Sequence, residues 1–199
     1  SNLGVPNYSV GVGPTIAALD GQLIICYGDG STPICLNGLN GSKIGEINLG
    51  NAIAGSVTND EAENLLIVNH ANAGETVNIY RTASTKDVPT LFHSFTNLST
   101  FPMGSKMKVI GDIDEDAIIV IPNEGISGVS SCNEFTAIQV RNSVIASVES
   151  INIANPGIAW GGAPVNTAGI AAADIDLSAG WFESMYDPSY FHWIKADGS

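Results

Sequence analysis

Basic side chains are scarce in this chain: 7 Lys and Arg stand against 20 Asp and Glu, for a net charge of −13. Phosphate backbones are held by Lys and Arg, so the imbalance argues against a nucleic-acid partner. It argues equally against an anionic membrane surface. Long apolar runs are missing too. None approaches the roughly 18–20 residues of a membrane-spanning helix, and no membrane insertion is expected within this chain. The opening SNLGVPNYS has neither a basic n-region nor an apolar h-region. Cysteine is limited to Cys26, Cys35 and Cys132, with no CxxC or CxxH pair. The usual structural zinc spacings are therefore absent, and no metal or cofactor is expected. Cys26 and Cys35 flank the turn GDGST. A cross-strand disulfide is one reading; free buried thiols acting as small hydrophobes is the favoured one.

Catalytic signatures are also lacking. There is no HExxH and no GxSxG, and Gly161-Gly162 is followed by no phosphate-loop Lys. His70, His93 and His192 are scattered. No catalytic residue is nominated. In GDIDEDA, Asp112, Asp114 and Asp116 take alternating positions of a calcium loop, but Ala117 stands where that loop needs Gly and Asn123 where it needs Glu. A solvated turn is the expected reading.

What the chain does have is short strands and turn residues. Only 14% of residues are charged, and there are 22 glycines. The most ordered stretch runs from Ser56 to Arg81, SVTNDEAENLLIVNHANAGETVNIYR. Asn59, Asp60 and Glu61 form a turn, since Asx side chains bond their own backbone. Leu65 to Val68 follow as an unbroken apolar run, the signature of a strand covered on both faces. Asn72-Ala73-Gly74 turns again, and Val77, Ile79 and Tyr80 have high strand propensity. A sheet this thin hides neither face alone, so it requires further sheets on either side. Looser copies supply them: the turns LDGQ, TNDEAEN, GDIDEDA and ADIDLSA each precede an apolar strand.

The expected fold is all-β, a β-propeller-like array of about four antiparallel four-stranded meanders, either whole or a partial propeller. The units fall at about 15–50, 55–96, 106–150 and 168–195 within a single domain spanning 1–199. The fourth stops after three strands. Residues 7–12, NYSVGV, could close it by pairing with Tyr190 to Lys195.

Aromatic residues crowd the last forty positions: Trp160, Trp181, Phe182, Tyr186, Tyr190, Phe191 and Trp193 include every Trp of the chain. Rings of this kind stack on sugar C–H faces or anchor protein interfaces. Trp160, Tyr190 and Trp193 are the candidate ligand-binding residues. Filling and sealing the last sheet is the competing role of this cluster.

The stretch 55–122 resembles the propeller-type domain of uncharacterised surface lipoproteins of gut bacteria. The pattern is carried by Asn59, Asp60, Asn64, Leu65, Tyr80, Pro89, Leu91, Val109, Gly111, Asp112, Asp116 and Ala117. Glu63 departs from it, standing where the pattern has Gly. The resemblance implies export, to the cell surface or periplasm, and a role in binding glycan or protein; it implies no catalytic residues. The expected function is thus a non-catalytic cell-envelope binding module, with a glycan or protein partner held by loops at one end of the propeller. An enzyme, hydrolase or lyase, with its site at the propeller axis is one alternative. A scaffold module of a larger surface protein is the other.

Overall fold

A computed structural model of the chain describes residues 14–27, 31–50, 53–124, 134–153, 170–184 and 191–199. The expected closing strand at 7–12 lies outside them, as do Cys132, Trp160 and Tyr190. The described residues are all-β, apart from one 3-10 turn at Leu177–Ala179.

Fifteen strands form four antiparallel sheets, each a meander in chain order. Sheet one holds β1 (Thr15–Leu19), β2 (Gln22–Cys26), β3 (Ile34–Asn37) and β4 (Lys43–Glu46). Sheet two holds β5 (Ser56–Asn59), β6 (Leu65–Val68), β7 (Thr76–Thr82) and β8 (Thr90–Thr96). Sheet three holds β9 (Lys108–Gly111), β10 (Ala117–Pro122), β11 (Glu134–Arg141) and β12 (Val144–Asn152). Sheet four has three strands among the described residues: β13 (Ile170–Ala172), β14 (Trp181–Ser184) and β15 (Phe191–Ile194). Among the described residues no sheet closes on itself.

The sheets stack in chain order, and the unbroken apolar strands show why. Successive side chains of a strand point to opposite faces. Leu65 and Ile67 of β6 enter the core shared with sheet one, beside Ala17, Ile24, Cys26 and Cys35. Leu66 and Val68 enter the core shared with sheet three, beside Ala117, Ile119 and Ile121 of β10. Ile118 and Val120 of β10 face the other way, onto Ala172, Trp181 and Ile194 of sheet four. All four residues of β6 are fully buried, and burying each stabilises by about 1.5–3 kcal/mol. Each inner sheet thus feeds two cores.

Cys26 and Cys35 are not joined in a disulfide, and both are buried in the first of these cores. Cys35 pairs in register with Ile24 and not with Cys26, and burial pushes its thiol up. The fourth strand of sheet one is short, Lys43–Glu46. It ends at Glu46 because Ile47 and Leu49 leave the edge and turn into the core.

Candidate functional site

The stack has two ends of different character. At one end lie the turns that join the first strand of each sheet to its second. Here the motif Asn59-Asp60 reaches both neighbouring sheets. The Asn59 carboxamide accepts from the Ala18 amide (2.7 Å) and donates to the Ala18 carbonyl (2.8 Å). Asp60 accepts from the Asn64 amide (2.8 Å), from Asn64 Nδ2 (2.9 Å) and, across the gap, from the Ile113 amide of sheet three (3.2 Å). The Glu61 amide donates to Gly111 O at 3.0 Å. Glu63, the departure from the resembling pattern, has a φ of 64°. That is the left-handed region where glycine rests without strain, which explains why the pattern has Gly there.

The acidic turn 112–116 belongs to this end and is occupied in the same way. Asp114 pairs with Arg81, Asp112 Oδ1 accepts from the Asp114 amide (2.8 Å), and Asp116 Oδ1 accepts from the Asn142 amide (3.0 Å). Among the described residues no group of three His, Cys, Asp or Glu side chains could hold a metal ion. Asp20 accepts from the Thr85 amide (2.8 Å) and from both hydroxyls of Ser84 and Thr85 (3.0 and 2.9 Å), and these bonds hold its carboxyl below the usual range. Arg141 Nη2 donates to Ile175 O at 2.6 Å, tying sheet three to sheet four.

The opposite end receives the second-to-third-strand turns and the links between sheets. Between sheets two and three the link contributes a short rung. Met103 exchanges amide bonds with Ala71 (2.9 and 3.0 Å) and bridges to Asn123, while the Glu124 amide donates to Pro102 O at 2.7 Å. Gly104 sits at φ 105°, against the Asn69 carbonyl, where any Cβ would collide with backbone. This close approach brings His70, Ser105, Lys106 and Glu124 together.

Glu124 is the hub. Its Oε1 accepts from the Ser105 amide (3.0 Å) and its Oε2 lies 3.4 Å from His70 Nε2. Burial pushes the Glu124 carboxyl up, but hydrogen bonds from His70 and Ser105 outweigh it and hold it below its ordinary value. The bond to Glu124 raises the His70 imidazole against the opposing effect of burial, and the charge of Glu75 adds to the rise. Burial lowers the Lys106 ammonium, with Glu124 opposing. Beside this group Asn123 is fully buried, and among the described residues neither its Oδ1 nor its Nδ2 has a hydrogen-bond partner. The carboxylate stands between the serine and the imidazole. A nucleophilic relay needs the imidazole in that middle place, so the order does not activate Ser105.

Of the sequence-nominated residues, the structure describes Trp193 alone. It lies in β15, 59% exposed, and its indole N–H donates to Ala179 O at 3.1 Å, toward the turn end. It is not part of the His70–Glu124 group. Trp181 is buried instead, edge-on to Phe135 at 4.8 Å between ring centroids, so this aromatic seals sheets three and four. Sequence inspection passed over Glu124 and Ser105. The one available signal was His70 ending an apolar strand, and its partner lies 54 residues away on another sheet.

The matching family model covers residues 1–199. The chain belongs to the family described as domain of unknown function (DUF8500). That description names no source, anchor, fold or activity. No curated protein and no solved structure matches the chain.

Proposed function

We propose that this member of the family is a non-catalytic binding module of the cell envelope, which holds a glycan through the link end of a propeller-like stack. The observation that carries the reading is the contrast between the two ends. Turn-end carboxylates and amides are spent on neighbouring sheets. At the link end the buried Asn123 finds no side-chain partner among the described residues, beside the ionisable trio of His70, Lys106 and Glu124, of which His70 is exposed enough to meet a ligand directly. Sugar hydroxyls both donate and accept, and their C–H faces stack on aromatic rings. In chain order Trp160 falls in the connection from β12 to β13, and Tyr190 in that from β14 to β15. Both connections join strand ends on the same side of the stack as His70.

Propeller geometry is supported by the stacking of first strands, β1 on β5 through Asn59 and β5 on β9 through Asp60. An extracytoplasmic location rests on the resemblance of residues 55–122, and the surplus of acidic groups is compatible with a carbohydrate partner. Among the described residues no cluster favours hydrolase or lyase chemistry.

A glycan array probed with wild type and with Trp160→Ala tests the reading. Wild type should bind a restricted set of glycans, and the variant should lose at least tenfold in signal. Binding to no glycan, or equal binding by both proteins, overturns it in favour of a protein partner.

A further inference from the structure

The few basic side chains of this chain are unevenly spent. Lys43, Arg81 and Arg141 form ion pairs with Glu46, Asp114 and Asp116. Lys86 and Lys195 stand within reach of the charges of Asp20 and Asp197. The remaining pair, Lys106 and Lys108, lie two residues apart where the chain enters β9 at the link end. Lys108 is exposed and forms no ion pair among the described residues. Burial lowers the Lys106 ammonium; Glu124 opposes this, and the charge of Lys108 lowers it further. With His70 the two lysines set three basic groups around two carboxylates, Glu124 and Glu75, on a chain of net charge −13. Both carboxylates are already engaged. Glu124 accepts from Ser105 and meets His70, and Glu75 accepts from the Asn72 amide and Nδ2 at 2.7 and 3.1 Å.

A second observation lies behind the lysines. The segment 103–105 that leads to them is bordered by Asn123, through its bridge to Met103. It is bordered also by the start of β5, since a Cβ on Gly55 would stand 2.5 Å from Gly104 O. The first residue of β5, Ser56, is fully buried. Its neighbour Val57 enters the core shared with sheet one, so the Ser56 side chain points the other way, toward sheet three. Neither the Ser56 hydroxyl nor the Asn123 carboxamide has a hydrogen-bond partner among the described residues. Buried polar groups are ordinarily paired. Here two unpaired ones border the segment that carries the lysines.

From these two observations we propose that the link end takes an anionic sugar, whose carboxylate or sulfate group is held at Lys106 and Lys108. Lys108 and His70, the more exposed members, meet the sugar directly, and ordered water carries the contact inward to Ser56 and Asn123. Two neighbouring ammonium groups repel each other, and an anion between them relieves that repulsion where a neutral sugar does not. Over the rest of the surface the excess of acid turns such a ligand away, so the lysine pair sets where it binds. This inference rests on the reading of the link end as a glycan site and names the class of glycan.

The test is an array that carries uronate-, sialate- and sulfate-bearing glycans, each beside its methyl-esterified or desulfated form. It is probed with wild type, Lys108→Ala and Lys108→Arg. Lys108 is exposed, so circular dichroism of both variants should match that of wild type. Wild type should bind acidic glycans at least about tenfold better than their neutralised forms, the usual weight of a hydrogen bond to a charged group. Lys108→Ala should lose that preference and Lys108→Arg should keep it. Selectivity for carboxylate over sulfate, or the reverse, supports the proposal and identifies the group. Equal signals from acidic and neutralised forms overturn it and leave the glycan reading in place. An undiminished preference in Lys108→Ala overturns it as well. Binding to no glycan overturns both.

Discussion

The turn end and the link end of this stack use similar side chains for opposite purposes. At the turn end Asn59, Asp60 and Asp114 each meet a partner on a different sheet or strand, and the polar groups act as staples. At the link end Glu124 gathers His70 and Ser105, while the side chain of Asn123 next to it finds no partner among the described residues. A buried polar group without a partner costs about 1–3 kcal/mol. A fold that accepts such a cost at one end and avoids it at the other separates scaffold from candidate site.

The largest test of that contrast is a pair of substitutions. Asp60→Ala strands the Ile113 amide and the Asn64 amide in a buried place, and should cost about 2–3 kcal/mol in urea denaturation. Asn123→Leu removes groups with no partner among the described residues, and should leave stability unchanged or raise it by up to about 1 kcal/mol. Equal losses in the two variants would erase the distinction between the ends.

Next in size is Glu63→Gly. Relief of the left-handed backbone should raise stability by about 1 kcal/mol, readable as a higher thermal midpoint. An unchanged midpoint would mean that Glu63 is compensated by contacts of its own.

The smallest effect belongs to the His70–Glu124 pair. His70 is raised in the folded state, so its contribution is fully present below its unfolded pKa and is lost as pH rises through the folded one. Glu124 is depressed, so its contribution is present above its unfolded pKa and is lost as pH falls through the folded one. Stability from the pair therefore peaks between the carboxylate and imidazole ranges. The His70 side chain is 37% exposed, which limits the effect to less than about 1 kcal/mol. His70→Gln should flatten the alkaline side of the stability–pH curve. A variant curve parallel to that of wild type would show that the pair contributes nothing.

Much of the scaffold could be read before any coordinates. Leu65 to Val68 announced a strand covered on both faces, and the Asx turns placed the starts of the next strands. Both readings rest on short-range pattern. The Glu124 hub was invisible because it depends on a rung, Phe101 to Ser105, whose residues show no alternation and whose partners lie on two sheets. Trp193 was nominated by composition, yet composition carries no information on which face of β15 it takes. The resembling pattern was recognisable at Asn59 and Asp60 without its reason, which is that one residue reaches back a sheet and the next reaches forward.

Uniform greasiness in β6 has a hidden cost. A strand that alternates oily and wet residues punishes a one-step slip by burying the wet ones. Leu-Leu-Ile-Val imposes no such penalty, since every slipped arrangement is still oily on both sides. Alignment of the strand must then be dictated from outside the run, and the neighbouring amide and carboxylate clamps at residues 59 and 60 are placed to do so. Lengthening or shortening that hairpin by one residue should leave the oil where it was and mislay the clamps.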